Sequence, residues 1–448
     1  MILLRQILLL YTGSDELSGV DLLIEGNRIT RIAKAVEPQS QDAEVIDCRD
    51  IVVLPGLVNT HHHLFQTLQR CLPDVQNAPL FRWLVRLYQI WKGMDDDAVY
   101  WSTLLGCAEL LKTGCTTTSD NLYVFPRGAS KFIDVEIEAA QKIGIRFHPT
   151  RGCMSLGQSK GGLPPDEIVQ DEDEILADSE RLINKYHDTS FGSMIRIALG
   201  PCSPFSVSRK LLIETKELAR EKGVLLHTHL AETEDENKYC LEKYGMRPLE
   251  LMEECGWLGS DVWFAHGIHF TDAEIKRLEE TGTGVCHCPT SNMRLGSGVA
   301  RIPEMLEMGI RVGLGVDGSA SNDTSDMLGE LRNCLLLHRL TGGSEAMGVR
   351  DVLRLATAGG ASLLGRDDIG TIAEGRVADL IGIKISDIAY AGALHDYLAS
   401  VLLCGYDHSV EFSIIDGKLV VKEGHVCAVS EEEIIRNANR IAKKLATS

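Results

Sequence analysis

Apolar residues fall into short runs along this chain, and most runs are followed by a stretch with apolar positions every third or fourth residue. That alternation predicts strands separated by helices, and so a parallel sheet covered by helices. Eight runs read as strands: residues 51–63, 116–120, 146–152, 196–202, 224–232, 262–269, 284–292 and 311–319. Helical stretches separate most of them, as at 95–112, 172–186, 210–222 and 272–280. Eight strand–helix units over about 310 residues match a TIM-like (β/α)8 barrel.

Towards both ends the pattern changes. Residues 2–11 form an apolar run, and residues 21–33 read as a hairpin turning at Gly26-Asn27. A similar pattern returns at 412–424. The two ends are therefore expected to pair into one small β-sandwich domain, with the barrel inserted between its halves. The expected division is 1–54, 55–369 and 370–448, with a helix over 431–446 docked on the surface. The fold class is α/β.

Composition narrows the function. The chain has 448 residues, a formal net charge of −19 and 44% hydrophobic residues. Such an acidic balance disfavours a nucleic-acid backbone as partner and suits a small, neutral substrate. No apolar run approaches the roughly 18 residues of a membrane span, so no membrane partner is expected. The N-terminus lacks the pattern of a secretory signal. The 13 cysteines are scattered without a CxxC pair, as in a reduced, cytoplasmic protein. Cys286 and Cys288 flank His287, but alternation puts both on the face opposite it. Homo-oligomerisation is expected of such a barrel, without a decisive interface signal in the sequence.

In a barrel of this type active groups gather at the C-terminal ends of the strands. The first strand ends in His61, His62 and His63, and the His-x-His pair shares a face. His62 points the other way and reads as a core residue. The stretch GVLLHTHLAE, residues 223–232, places His227 and His229 on one face and Glu232 just past the strand. The sixth strand offers His266. The eighth ends in Asp317, a candidate ligand that would otherwise cap the next helix. Three neutral imidazoles and a carboxylate fit one divalent ion, with zinc or iron the leading choices.

The motifs PGLVNTHHH (55–63), HLAE (229–232), AH (265–266) and GVD (315–317) together resemble the amidohydrolase superfamily, in its purine and triazine deaminase branch. The resemblance runs end to end. It implies a flanking β domain and one metal held by His61, His63, His229 and Asp317. Two-metal members bridge their ions with a lysine at the end of strand four. Here that strand reads IRIALGPC (195–202), without lysine, so one ion per chain is expected. The chemistry then assigns Asp317 to take a proton from water, Glu232 to protonate a ring nitrogen, and His266 to steady the attacking oxygen.

Guanine-deaminating members carry a glutamine like Gln66, which reads the purine edge, and an arginine after strand four. Pro204 stands at the arginine's place, which points away from plain guanine. The runs LFQTLQR (64–70), RGCMSLG (151–157) and GLPP (162–165) resemble the 8-oxoguanine-deaminating members. A purine-like substrate follows as an expectation, converted to urate and ammonia. Its candidate binding residues are Gln66, Phe205, Trp91 and Arg151, with Phe205 stacking on the ring. Trp83, Tyr88 and Trp91 could close over it, or serve as ordinary residues of an amphipathic helix. Aminohydrolases or chlorohydrolases for guanine, isocytosine, pterins or triazines remain alternatives, as does a barrel without activity. The intact set of six polar residues disfavours the last.

Overall fold

The computed structural model describes residues 1–37, 42–405 and 407–446. Eight parallel strands close into a barrel. They are β1 (Leu57–Asn59), β2 (Cys115–Leu122), β3 (Arg146–Cys153), β4 (Ala198–Pro201), β5 (Leu225–Leu230), β6 (Val262–His266), β7 (Gly284–His287) and β8 (Val312–Leu314). β8 pairs with β1 through Leu314 and Asn59, which closes the ring. The strands are buried over almost every residue, as expected where helices cover the outside and side chains fill the inside.

Two strand readings change. The first run, 51–63, divides at Gly56. Ile51–Pro55 joins the sheet built from the chain ends, and only Leu57–Asn59 enters the barrel. A side chain at Gly56 would lie 2.0 Å from Thr116 Oγ1, so the chain crosses between sheets where only glycine fits. The seventh run ends at His287, and Pro289–Leu295 is a helix with proline at its start.

The chain ends build two sheets. A four-stranded sheet runs Arg28–Ala33, Val20–Glu25, Ile2–Ile7, Glu44–Asp47. In the seven-stranded sheet, Leu380–Lys384 pairs antiparallel with Ile51–Pro55 and with Phe412–Ile415. Ile2, Leu4, Leu22 and Ile24 from one sheet share a core with Val53, Leu380 and Ile414 from the other. A buried ion pair ties this domain to the barrel. Arg146 at the start of β3 donates to both oxygens of Asp379, at 2.8 and 2.9 Å. Asp379 also accepts the backbone N–H of Asp416.

The terminal helix Glu431–Ala446 buries Ile434, Ala438, Ile441 and Leu445, a stripe of helical spacing. It packs against the helix Asp96–Lys112, with Lys112–Glu431, Arg440–Asp97 and Lys444–Asp95 ion pairs along the seam. Among the described residues no helix is long and apolar enough to cross a membrane.

Candidate active site

Four side chains from three strand ends converge. Ligand atoms of His61, His63, His229 and Asp317 all lie within 4.8 Å of one another. Asp317 Oδ1 is 3.3 Å from Nε2 of both His61 and His63, and the Nε2 atoms of His63 and His229 are 3.0 Å apart. The backbone is bent to present them. Asp317 and His266 have φ of 64° and 74°, and Ala231 before Glu232 has φ of 53°. Non-glycine residues in this left-handed region carry strain of about 1–3 kcal/mol each, a cost found where a site demands a particular aim. Gly315 lets β8 approach β1, since a Cβ there would meet His61 Cβ at 2.9 Å.

The hydrogen bonds fix which imidazole nitrogen is free. His63 Nδ1 donates to the carbonyl of Asn121 at 2.7 Å, and His229 Nδ1 donates to that of Cys202 at 2.5 Å. His227 Nδ1 donates to the Trp263 carbonyl at 2.9 Å, so its Nε2 must accept. His61 Nδ1 donates to that atom at 2.8 Å. Each of the three histidines is left with a bare Nε2 turned to the cluster, and His61 Nε2 is buried without a hydrogen-bond partner. Such carbonyl-anchored imidazoles are the arrangement of metal-binding histidines. Burial pushes His63 down to about 3 and His229 well below the ordinary histidine range, so both imidazoles are neutral donors. The donor set fits a divalent ion such as zinc.

Asp317 is also held from behind. Ser291 and Ser321 hydroxyls donate to its Oδ2 at 2.6 and 3.3 Å, and the Gly318 N–H donates to Oδ1 at 2.7 Å. Its role as a mere helix cap is thereby displaced. His266 stands beside the quartet. Asn292 Nδ2 donates to its Nδ1 at 3.0 Å, leaving the proton on Nε2, 3.6 Å from Glu232 Oε2. Burial lowers His266 to about 4, so this imidazole is neutral and donates from Nε2. The Glu232 carboxyl is raised well above its ordinary value, first by burial and then by the charges of Asp317 and Glu236.

A change at Asn292 tests the tautomer of His266. In Asn292→Asp the new carboxylate can only accept, so the proton must move to Nδ1 and Nε2 loses its N–H. One lost directed hydrogen bond is worth roughly ten- to a hundredfold. The expected result is a fall in kcat of that size at unchanged metal content; an unchanged kcat contradicts the assignment.

His63, His229 and Asp317 of the quartet line a cavity together with Gln66, Leu80, Trp83, Leu84, Tyr123, Cys202, Ser203, Phe205, Glu232, Glu236, His266, Leu295 and Ser321. Gln66 lies on a 3-10 turn, Leu64–Gln69, directly after His63. Its Nε2 reaches Tyr123 OH at 3.4 Å, and its Oε1 is buried without a partner. Phe205 presents its ring to the cavity and packs on Phe81.

Two expected substrate-binding residues stand elsewhere. Trp91 lies behind the cavity wall, packed on Phe65, Trp83, Tyr88 and Tyr123, with its indole N–H given to Gln69. The helix Leu80–Trp91 turns Trp83 and Leu84 to the cavity instead. Arg151 points out of the barrel. It pairs with Asp178, bonds Gln170 and covers the ring of Phe125. His62 bonds Ser325 away from the quartet. His287 turns outward to His338, with their Nε2 atoms 3.0 Å apart, while Cys286 and Cys288 meet each other. The sequence reading missed Tyr123, Ser203, Glu236, Ser291, Asn292 and the support that His227 gives His61.

Comparison with known proteins agrees with this fold. The family description "Amidohydrolase family" matches residues 52–420. An 8-oxoguanine deaminase of Pseudomonas aeruginosa is 46% identical over 407 residues, covering 91% of this chain and 90% of its own. A hydroxydechloroatrazine ethylaminohydrolase of a Pseudomonas species is 38% identical over 97% of this chain and 95% of its own. Among solved structures, the zinc complex of an atrazine chlorohydrolase from Arthrobacter aurescens superposes with a TM-score of 0.95. It is 32% identical and covers 99% of this chain and 100% of its own.

Proposed function

The chain belongs to the amidohydrolase family, and from that premise we propose that it is a zinc-dependent deaminase of an amino-oxopurine, converting 8-oxoguanine and water to urate and ammonia. The observation that carries this reading is that Glu232, a buried carboxyl held above its ordinary value, lines one cavity with His63, His229 and Asp317 of the quartet. When bound there, a divalent ion activates water for attack near neutral pH. Asp317, aimed by Ser291, Ser321 and Gly318, takes the proton that water releases. His266 steadies the attacking oxygen with a hydrogen bond from its Nε2–H. Glu232 protonates the ring nitrogen beside the carbon under attack, which keeps negative charge from building on the ring. The C–N bond then breaks, and the amine leaves as ammonia with a proton passed through the same carboxylates.

The lining of the cavity and the relatives both support this choice of substrate. Phe205 and Trp83 supply apolar ring surface for a flat heterocycle. Gln66 offers an amide that can both donate and accept. The 46% identical relative is an 8-oxoguanine deaminase. A second reading, removal of an amine from a hydroxy-triazine, uses the same proton path and is supported by the triazine-acting relative.

Gln66→Ala tests ring recognition. Metal content should be intact and kcat/KM for 8-oxoguanine lower by roughly ten- to a hundredfold, the worth of one hydrogen bond in a closed pocket. A kcat/KM within about twofold of the parent, well inside that range, removes Gln66 from substrate recognition.

A further inference from the structure

One buried carboxylate beside the site has no part in this chemistry. Glu236 sits in the first turn of the helix Glu234–Tyr244. The other two acids of that turn face outward: Asp235 meets Lys238, and Glu234 meets His269 and Asn237. Glu236 turns inward and lines the cavity at 2% exposure. Its Oε2 accepts the backbone N–H of Glu232 at 3.1 Å, which fixes the side chain. Its Oε1 is buried and has no partner. Among the described residues no lysine, arginine or histidine pairs with it; its hydrogen bonds come from the backbone of Ala231 and Glu232. A carboxylate oxygen buried in this way is costly unless something donates to it. The cavity is where that donor would arrive.

We propose that Glu236 is a specificity-determining residue, whose free Oε1 accepts a ring N–H lying next along the substrate edge from the nitrogen that Glu232 protonates. This rests on the oxopurine reading above. In a keto oxopurine the carbon bearing the amine is flanked by N1, which already carries hydrogen, and by N3, which does not. The proton from Glu232 therefore goes to N3. Continuing along that edge, the next polar atom is N9, which carries hydrogen in the free base. A group held beside Glu232 through its own backbone meets that N–H. Burial raises this carboxyl to about 7, against the backbone N–H groups of Glu232 and Ala231 that favour its charge; in its ionised form it accepts and never donates, so it selects a donor at this place. A single-ring substrate lacks the donor and leaves Oε1 unpaired. Sites built to bond a substrate N–H discriminate strongly against analogues without it. Glu236 would thus select the fused imidazole half of a free base over pyrimidines, triazines and 9-substituted purines.

The test is a cycle of two substrates and two proteins, each protein checked for metal content. The substrates are 8-oxoguanine and its 9-methyl derivative, and the proteins are native and Glu236→Ala. Methylation should lower the native kcat/KM by at least about tenfold, the worth of one bond to a buried acceptor. In Glu236→Ala, kcat/KM on the parent base should fall by about ten- to a hundredfold. The penalty for methylation should shrink to within about threefold, because acceptor and bulk are both gone and coupled changes are not additive. Any loss from a loosened Glu232 loop affects both substrates and cancels in the ratio. The same methylation penalty in both proteins overturns the proposal and leaves Glu236 as a support for the loop. Should Glu236→Ala lose its metal or fold poorly, Glu236→Gln replaces it, with isocytosine as the second substrate. Equal losses on isocytosine and 8-oxoguanine then overturn the proposal. Failure of the underlying reading looks different: the native, metal-loaded protein turns over neither purine.

Discussion

Glu232→Gln is expected to retain its metal and lose most turnover, by about 10²–10⁴ in kcat. The amide keeps the size of the carboxyl and still fits beside Ser297 and His266. It cannot give up a proton to the ring nitrogen or carry one to the leaving amine. Burial and the nearby Asp317 and Glu236 raise the native carboxyl well above its ordinary value, which favours the protonated form that this step uses. The loss should fall on kcat rather than on metal content, measured by elemental analysis beside steady-state rates. A variant within about threefold of the parent, far inside that range, would show that another group moves the proton.

The strand ends made this site legible from the chain alone. His61, His63, His229, Glu232, His266 and Asp317 lie at the ends of four apolar runs, and the barrel brings those four ends to one face. What the sequence could not show is the set of groups that aim them. Asn292 lies in a run that reads as strand, yet proline at 289 starts a helix there, and that helix turns Ser291 to Asp317 and Asn292 to His266. Glu236 is hidden in a different way. Three acids in a row at a helix start look like the ordinary charge preference of a helix N-terminus, and nothing local tells the inward one from its neighbours. Trp91 and Trp83 occupy one amphipathic helix, and which faces the cavity depends on the rotation of that helix over the barrel. Arg151 failed for the alternation of β3: its side chain leaves the barrel to meet Asp178, a partner 27 residues on.

Stripping the metal should abolish turnover and soften the fold. An ion bound to the native state alone stabilises it by about 4 kcal/mol when present at a thousand times its dissociation constant. Without it, four donor side chains face one another, and the buried His61 Nε2 has no hydrogen-bond partner. Chelation followed by dialysis should therefore lower the midpoint of thermal unfolding, and about one equivalent of zinc per chain should restore both midpoint and rate. One ion is the expectation from the chain itself. Strand β4 ends at Pro201 and supplies no lysine to bridge a second ion. Full activity after rigorous removal, or two ions needed at this site for full rate, contradicts the single-ion account.

The most direct test of the central claim is a steady-state panel on the zinc-loaded protein. It comprises 8-oxoguanine, guanine, isocytosine, isoxanthopterin and amino- or chloro-substituted triazines, with products identified by mass. The account predicts urate and ammonia from 8-oxoguanine, with kcat/KM at least about tenfold above every other compound, the worth of one buried hydrogen bond. A higher kcat/KM on the pterin or a triazine, or release of chloride in preference to ammonia, would contradict it.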